Sequence, residues 1–498
     1  MTGSGSLRPN ALGLVGAAAF GAVMLSPALG IYGNFAAMEG TAGVVTSFVF
    51  LVALFISLPT AVSYSVVARE LPAAGSAYTW LWRVTRPRLG SWVGWLMTSY
   101  YVMVIFLQPV IFGLFFNELL GFAGLQTSHL TYGLGVLAVT GLLIPMVYRD
   151  VSLTAKAAVF FLLFEVAVIA ALCITIFVVQ GAHGQLSAAP LNPARATGGA
   201  NAISHAVLFG ILSFTGFDVV STVAEETKTP KSLVPVATIL SICLVGLFWV
   251  LASWAFSIAV PPATVAHLAA SGVTPITPIA NLFWHKWGVI VTITGMTASM
   301  GCYLGGMLTL GRVGFAMARD GSFPARFAKL HPRFNTPWNV LHVGFVLVFA
   351  VTGIVGSLIS NPYDVFIWSG EAVVFFAVIT YFFVNLGNLL YYRRFKRESF
   401  NWFTNGVVPV FGMAVLAYAL YKAFFAALWG SGFALGRSVI YFAVGWAVVG
   451  ALYTWRLSKK RPGIFTADSF VLADGPAPHA APAPDAGLGA GGETALAE

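Results

Sequence analysis

Twelve long apolar stretches run through the chain, near residues 12–38, 43–67, 91–122, 130–148, 155–180, 201–224, 234–260, 285–317, 339–358, 364–391, 403–428 and 433–456. About 20 apolar residues suffice to cross a bilayer as a helix. Twelve such stretches in 498 residues leave little else, so the expected fold is an all-α integral membrane protein of about 12 transmembrane helices. Only 9% of the residues are charged, against about 25% in a soluble domain. The first stretch is too long for the apolar core of a cleaved signal and lacks a small-residue cleavage site at a suitable distance. It is expected to stay as helix 1.

Basic residues set the orientation. With the N-terminus inside, the inner connections hold Arg8; Arg69, Arg83, Arg86 and Arg88; Arg149 and Lys156; Lys228 and Lys231; Arg312, Arg319, Arg326, Lys329 and Arg333; Arg393, Arg394, Lys396 and Arg397; and Arg456, Lys459, Lys460 and Arg461. That is 22 of 26, with Arg195, Lys286, Lys422 and Arg437 outside. Such a split is the positive-inside signature and places both termini in the cytoplasm. It accounts for the net charge of +9 through anionic lipid head groups, without a nucleic-acid partner. Cys173, Cys243 and Cys302 lie in apolar stretches with no CxxC or Cys/His cluster, so no metal, disulfide or cofactor is implied.

Two stretches are interrupted where a plain anchor would be continuous. Ser26-Pro27-Ala28-Leu29-Gly30-Ile31-Tyr32-Gly33 sits in the first, and Ser213-Phe214-Thr215-Gly216-Phe217-Asp218 in the sixth. Proline removes a backbone donor and glycine tolerates almost any φ/ψ. Broken backbone at membrane depth persists only when buried in protein or lining a wet cavity. The first and sixth segments correspond if the core is two repeats of five helices, and paired interruptions at corresponding places point to a transport site. The expected substrate contacts are Ser26, Ala28, Leu29, Gly30, Ile31, Phe214, Thr215 and Gly216, with Tyr100 and Tyr101 as occluding aromatics.

Acids inside apolar stretches are few. Glu165 falls about ten residues into the fifth stretch, roughly 15 Å along a helix. A carboxylate there costs about 2.5–3.5 kcal/mol on insertion scales, so it must face a cavity, pair, or carry a proton. A structural hydrogen bond to a neighbouring helix is the plainer reading. Asp218 follows the second interruption, either as a charge-handling group or as a cap on the resumed helix. Glu371 falls about 10 Å into the tenth stretch, where it would either line an outer vestibule and attract a cation, as a third charge-coupling candidate beside Glu165 and Asp218, or sit at the interface. Glu225 and Glu226, near Lys228 and Lys231, read as a cytoplasmic gate network. His205 reads as a packed polar residue.

These motifs resemble the amino acid–polyamine–organocation transporter superfamily. Gly30-Ile31-Tyr32 looks like its glycine-rich break in helix 1. Leu71-Pro72-Ala73-Ala74-Gly75-Ser76-Ala77-Tyr78 is close to its Pro-x-x-Gly-x-x-Tyr loop. Phe214-Thr215-Gly216-Phe217-Asp218, then Glu225-Glu226-Thr227-Lys228-Thr229-Pro230, is similar to its helix 6 run. Met317-Ala318-Arg319-Asp320-Gly321 with Pro324 and Thr336-Pro337 matches the loop after helix 8. The resemblance covers helices 1 to 10. It implies a five-plus-five inverted-repeat fold with helices 1 and 6 broken at mid-membrane, and alternating access. It also implies that amino acid members hold the substrate carboxylate on the N–H groups of the helix 1 turn. The chain departs from the pattern at Leu29, where a small residue is usual, at Asp218 in place of Glu, and at Glu165, where some proton-coupled members carry Lys.

No GxxxxGK[ST], HExxH or strand-borne GxSxG motif is present, so no enzyme is indicated and transport must draw on a gradient. The expected organisation is an N-terminus over 1–11, a first repeat over 12–180, a second over 181–392, two further helices over 393–460 and a disordered tail over 461–498. The expected function is a plasma (inner) membrane permease for a small amino acid or organic amine, coupled to H+ or working by exchange. Na+ coupling, through helix 1 carbonyls with Thr297 and Ser299, is one alternative. A non-transporting sensor or structural subunit is another. Leu29 leans the substrate toward an amine, with an amino acid held some other way left open.

Overall fold

The computed structural model describes residue 7 and residues 10–148, 151–270, 274–358, 362–428 and 436–465. Arg8, Arg149 and the tail from 466 onward lie outside the described residues. All of the twelve expected spans have helical counterparts. Ten helical segments are long and apolar enough to cross a bilayer, and Gly199–Ser213 and Trp338–Val351 are shorter apolar helices. The elements are α1 (Leu14–Leu25), α2 (Pro27–Ala42), α3 (Thr46–Glu70), α4 (Ala77–Val84), α5 (Pro87–Phe122), α6 (His129–Tyr148), α7 (Val151–Ala182), α8 (Gly199–Ser213), α9 (Val219–Thr222), α10 (Pro230–Ala259), α11 (Pro262–Ala270), α12 (Ile276–Trp284), α13 (Val289–Arg319), α14 (Trp338–Leu358), α15 (Pro362–Phe395), α16 (Val408–Leu420) and α17 (Gly436–Lys460). No strand occurs among the described residues; the one β-bridge joins Leu12 to Thr227.

The first interruption is tighter than the sequence suggests. Only Ser26 leaves helical geometry, at φ 48° and ψ 100°. Pro27 then opens α2 at the position where its missing N–H costs nothing and its fixed φ suits a helix start. Gly30 and Gly33 lie inside α2 and serve close packing. A Cβ at Gly30 would run into the Trp249 indole of α10. The second interruption is longer: α8 ends at Ser213 and α9 restarts at Val219, with Gly216 at φ 114° between them. There a side chain would be strained.

α3 packs on α10 and α5 on α13, and together they enclose the two broken elements. α13 meets α1 through Gly301 against Val23 and Gly305 against Met24. The expected eighth span, 285–317, is α13, preceded by the separate short helix α12 and a 3-10 turn at His285–Gly288. The tail does not lose structure at 461. A 3-10 turn spans Pro462–Ile464, and Phe465 stacks on Trp82 with centroids 5.2 Å apart. His205 is exposed on α8 rather than packed, because it falls on the face opposite the buried Ala206, Val207 and Gly210.

Candidate functional site

The site grows from the first break. Ser26 caps α2 by accepting the Leu29 N–H at 3.1 Å, and its hydroxyl donates to Oε2 of Glu165 at 2.9 Å. The same oxygen accepts the Ala28 N–H at 3.3 Å. Pro27 has no N–H, and the Gly30 N–H bonds to Ser26 O at 3.1 Å. The opening turn of α2 is therefore satisfied within the protein, with a carboxylate from α7 at its positive end. Glu165 is fully buried, and its Oε1 has no hydrogen-bond partner among the described residues. Trp249 Nε1 donates to Pro27 O at 3.0 Å, and the Cys302 thiol from α13 donates to Val23 O at 3.0 Å, which fixes both sides of the break.

The second break carries its own acid. Asp218 is fully buried and accepts hydroxyl protons from Tyr101 of α5 and Tyr381 of α15, each at 2.6 Å. The Tyr381 hydroxyl also accepts the Gly216 N–H at 2.9 Å. The Asp218 side chain does not cap α9; the two tyrosines claim its oxygens instead. Phe214 stands edge-on to Trp249 with centroids 5.0 Å apart. Asn34 Nδ2 donates to Ser213 Oγ at 2.8 Å and ties α2 to α8.

Between the breaks lies a cavity of about 130 Å³, lined among others by Ser26, Leu29, Gly30, Tyr100, Gln108, Ser213, Thr215 and Cys302. A larger cavity of about 420 Å³, lined by Tyr32, Asn117, Glu118, Thr127 and Thr274, continues from it. The two share Leu29, Gly33, Ile111 and Phe366 as walls.

The opposite side is shut. Glu226 pairs with Arg312 in a nearly fully buried ion pair. Glu225 accepts from both terminal nitrogens of Arg319, at 3.2 and 3.1 Å, and from the Ala74 N–H at 3.0 Å. Leu12 bonds through its backbone to Glu226 O at 3.0 Å and to the Lys228 N–H at 2.8 Å. Ser76 and Ser221 hydroxyls meet at 2.5 Å. The segment before α1, the α3–α4 loop, the segment after α9 and the end of α13 are thus clasped together.

Several expected site residues meet in one place, and others do not. Ser26, Leu29, Gly30, Tyr100 and Thr215 line the smaller cavity. Ala28, Ile31, Phe214, Gly216 and Tyr101 do not, and all five are buried. Glu165 stands directly behind the wall residue Ser26, and Asp218 is held by Tyr101 and Tyr381, neither of which lines the cavity. Glu371 is half-buried in α15 and lines neither cavity; the acid in the wider cavity is Glu118 of α5. Glu225 and Glu226 pair with Arg319 and Arg312 rather than with Lys228 or Lys231, and the Lys228 side chain is exposed. Thr297 and Ser299 bond to carbonyls of their own helix, at Thr294 O and Met296 O. The α13 residues that reach the first break are Gly301, Cys302 and Gly305. Gln108, Trp249 and Tyr381 escaped sequence reasoning, because each belongs to an uninterrupted apolar helix where only packing reveals its direction; Asn34, in the resumed half of the first stretch, escaped it as well.

A family profile described as amino acid permease matches residues 12–449. The low-affinity putrescine importer PlaP of Escherichia coli (strain K12) is 26% identical over 419 residues, 82% of this chain and 85% of that protein. The branched-chain amino acid permease BcaP of Bacillus subtilis (strain 168) is 27% identical over 313 residues, 60% and 65% of the two chains. Cationic amino acid transporter 4 of Mus musculus is 32% identical over 143 residues, 28% of this chain and 20% of that protein.

Proposed function

We propose, for a chain that belongs to the amino acid permease family and is a multi-pass membrane transporter rather than an enzyme, that it is a secondary permease working by alternating access. The observation that carries this reading is the convergence of both helix breaks on one cavity. That cavity runs into a wider one on one side and is clasped shut on the other. A site reachable from one side at a time is what alternating access requires.

The shut face carries Arg69, Lys231, Arg319, Arg326, Arg393 and Lys396, and the positive-inside rule supports reading it as the cytoplasmic face. The structure then corresponds to the state facing outward from a plasma or inner membrane. Residues 12–180 and 181–392 form the two halves of the transport core, and 393–460 an accessory pair. The substrate is a small amino acid or an organic amine, the classes that the names of the relatives carry. Asp218, whose hydrogen-bond partners among the described residues are two tyrosine hydroxyls, is the group that carries a proton. A Na+ site formed with helix 1 carbonyls, Thr297 and Ser299 is the alternative, since both hydroxyls donate to carbonyls of their own helix and keep their lone pairs. Opening to the cytoplasm breaks the Glu226–Arg312 and Glu225–Arg319 pairs.

The test is uptake of radiolabelled amino acids and amines into proteoliposomes, with and without an imposed pH gradient and with Na+ replaced by choline. Saturable uptake stimulated by an inward proton gradient and indifferent to Na+ supports the reading. Uptake that requires Na+ removes the proton assignment.

A further inference from the structure

The electrostatics of the smaller cavity are one-sided. A helix presents partial positive charge at its first turn and partial negative charge at its last. α1 ends at the cavity with Met24 and Leu25 in the wall, and α8 ends there with Leu212 and Ser213. Two negative poles therefore converge on it. The positive pole that faces them, the first turn of α2, is already occupied by Glu165.

Four of the wall's hydroxyl and thiol protons are spent elsewhere as well. Ser26 donates to Glu165, Ser213 to Phe209 O, Thr215 to Leu212 O and Cys302 to Val23 O. Their lone pairs remain. Gln108 Oε1 and Glu165 Oε1 are buried acceptors with no partner among the described residues. Among the described residues no Lys, Arg or His lines the cavity. An ammonium group brings only donors and a positive charge, and this wall complements it. A carboxylate would find the α2 turn filled and would meet Glu165, a like charge, behind Ser26.

Resting on the transport reading above, we propose that the cavity takes organic amines that carry no carboxylate, and that Glu165 sets this specificity as the resident anion of the α2 turn. Glu165 acts as a specificity residue through Ser26 and Ala28. Removing it frees the Ala28 N–H and the Ser26 hydroxyl for a substrate's carboxylate.

The experiment compares matched pairs in proteoliposomes of the full chain, with protein-free vesicles subtracted: 3-methylbutylamine against leucine, 1,4-diaminobutane against ornithine, and 2-phenylethylamine against phenylalanine. In wild type, the amine of at least one pair is taken up saturably and its carboxylated parent about tenfold or more less efficiently. Glu165→Gln keeps an acceptor for Ala28 but loses the charge, so amine uptake weakens while amino acids stay excluded. Glu165→Ala shifts the ratio toward the carboxylated parent. The wild-type ratio decides even where a variant fails to fold. Wild-type uptake of amino acids equal to or better than of their amines overturns the inference and leaves transport standing. No uptake of either set, by protein with a cooperative melting transition, overturns both.

Discussion

Glu165 and Ser26 lie 139 residues apart and meet at 2.9 Å, where a carboxylate from an unbroken helix plugs the break in another. One oxygen of Glu165 serves two donors, and the Ser26 hydroxyl both caps α2 and bonds the acid. Ser26→Ala therefore removes two bonds at once and leaves the Leu29 N–H without its acceptor. The expected loss is about 1–3 kcal/mol of stability for a buried group left unsatisfied. It is read as a lower melting temperature in detergent. An unchanged melting temperature would mean that the cap contributes nothing.

The Tyr381 hydroxyl bridges the Gly216 N–H and Asp218 Oδ1. Tyr381→Phe strands both, while Tyr101→Phe strands only Oδ2. Tyr381→Phe should therefore be the more damaging, with each stranded buried group costing about 1–3 kcal/mol. In a double-mutant cycle with Asp218→Asn, the two tyrosine changes should couple to Asp218 rather than add. Additive losses would show that the hydroxyls and the acid act separately.

The Glu226–Arg312 pair is nearly fully buried. Removing one partner of such a pair costs about 3–5 kcal/mol, because the other is left charged and unpaired. Glu226→Gln and Arg312→Gln should both destabilise the clasped state. A cysteine placed at Ser76 should then become accessible to a membrane-impermeant thiol reagent from the face that the clasp closes. Protection equal to that of the parent cysteine variant would rule out these pairs as the latch.

Gly30→Ala drives a methyl group into the Trp249 indole. Overpacking of this kind costs about 1–3 kcal/mol, and it pushes Trp249 off the Pro27 carbonyl. Uptake should fall together with stability. Adding Trp249→Phe, which makes room, should recover stability but not the lost bond to Pro27.

At the end of α13, Asp320 is buried beside Arg319, 3.9 Å away. Burial pushes its carboxyl up to about 7, against the opposing pull of the Arg319 guanidinium and a hydrogen bond from Tyr78. A carboxyl with a raised folded value holds its proton more tightly when folded. Its contribution to stability is full below the unfolded value near 4 and is lost as pH rises through about 7. The melting temperature should fall between pH 5 and pH 7.5, and Asp320→Asn should flatten that slope. A slope unchanged in the variant would place its origin elsewhere.

The sequence by itself determined the helical membrane fold, because twelve apolar stretches with this few charges permit nothing else, and the family model over residues 12–449 agrees. It also placed the two breaks, since proline and glycine inside an apolar run are local facts of backbone chemistry. The site's composition was only half legible. Ser26, Leu29, Gly30 and Thr215 could be read from the breaks themselves. Gln108, Trp249 and Tyr381 could not, because an unbroken apolar helix does not announce which of its faces meets a cavity. Tertiary structure alone decided the partners: Glu226 with Arg312 across 86 residues, Asp218 with two tyrosines, and Glu165 with the α2 turn. The physical reason is that burial forbids an unsatisfied charge without saying which distant group will satisfy it, and only the packing of the helices makes that choice.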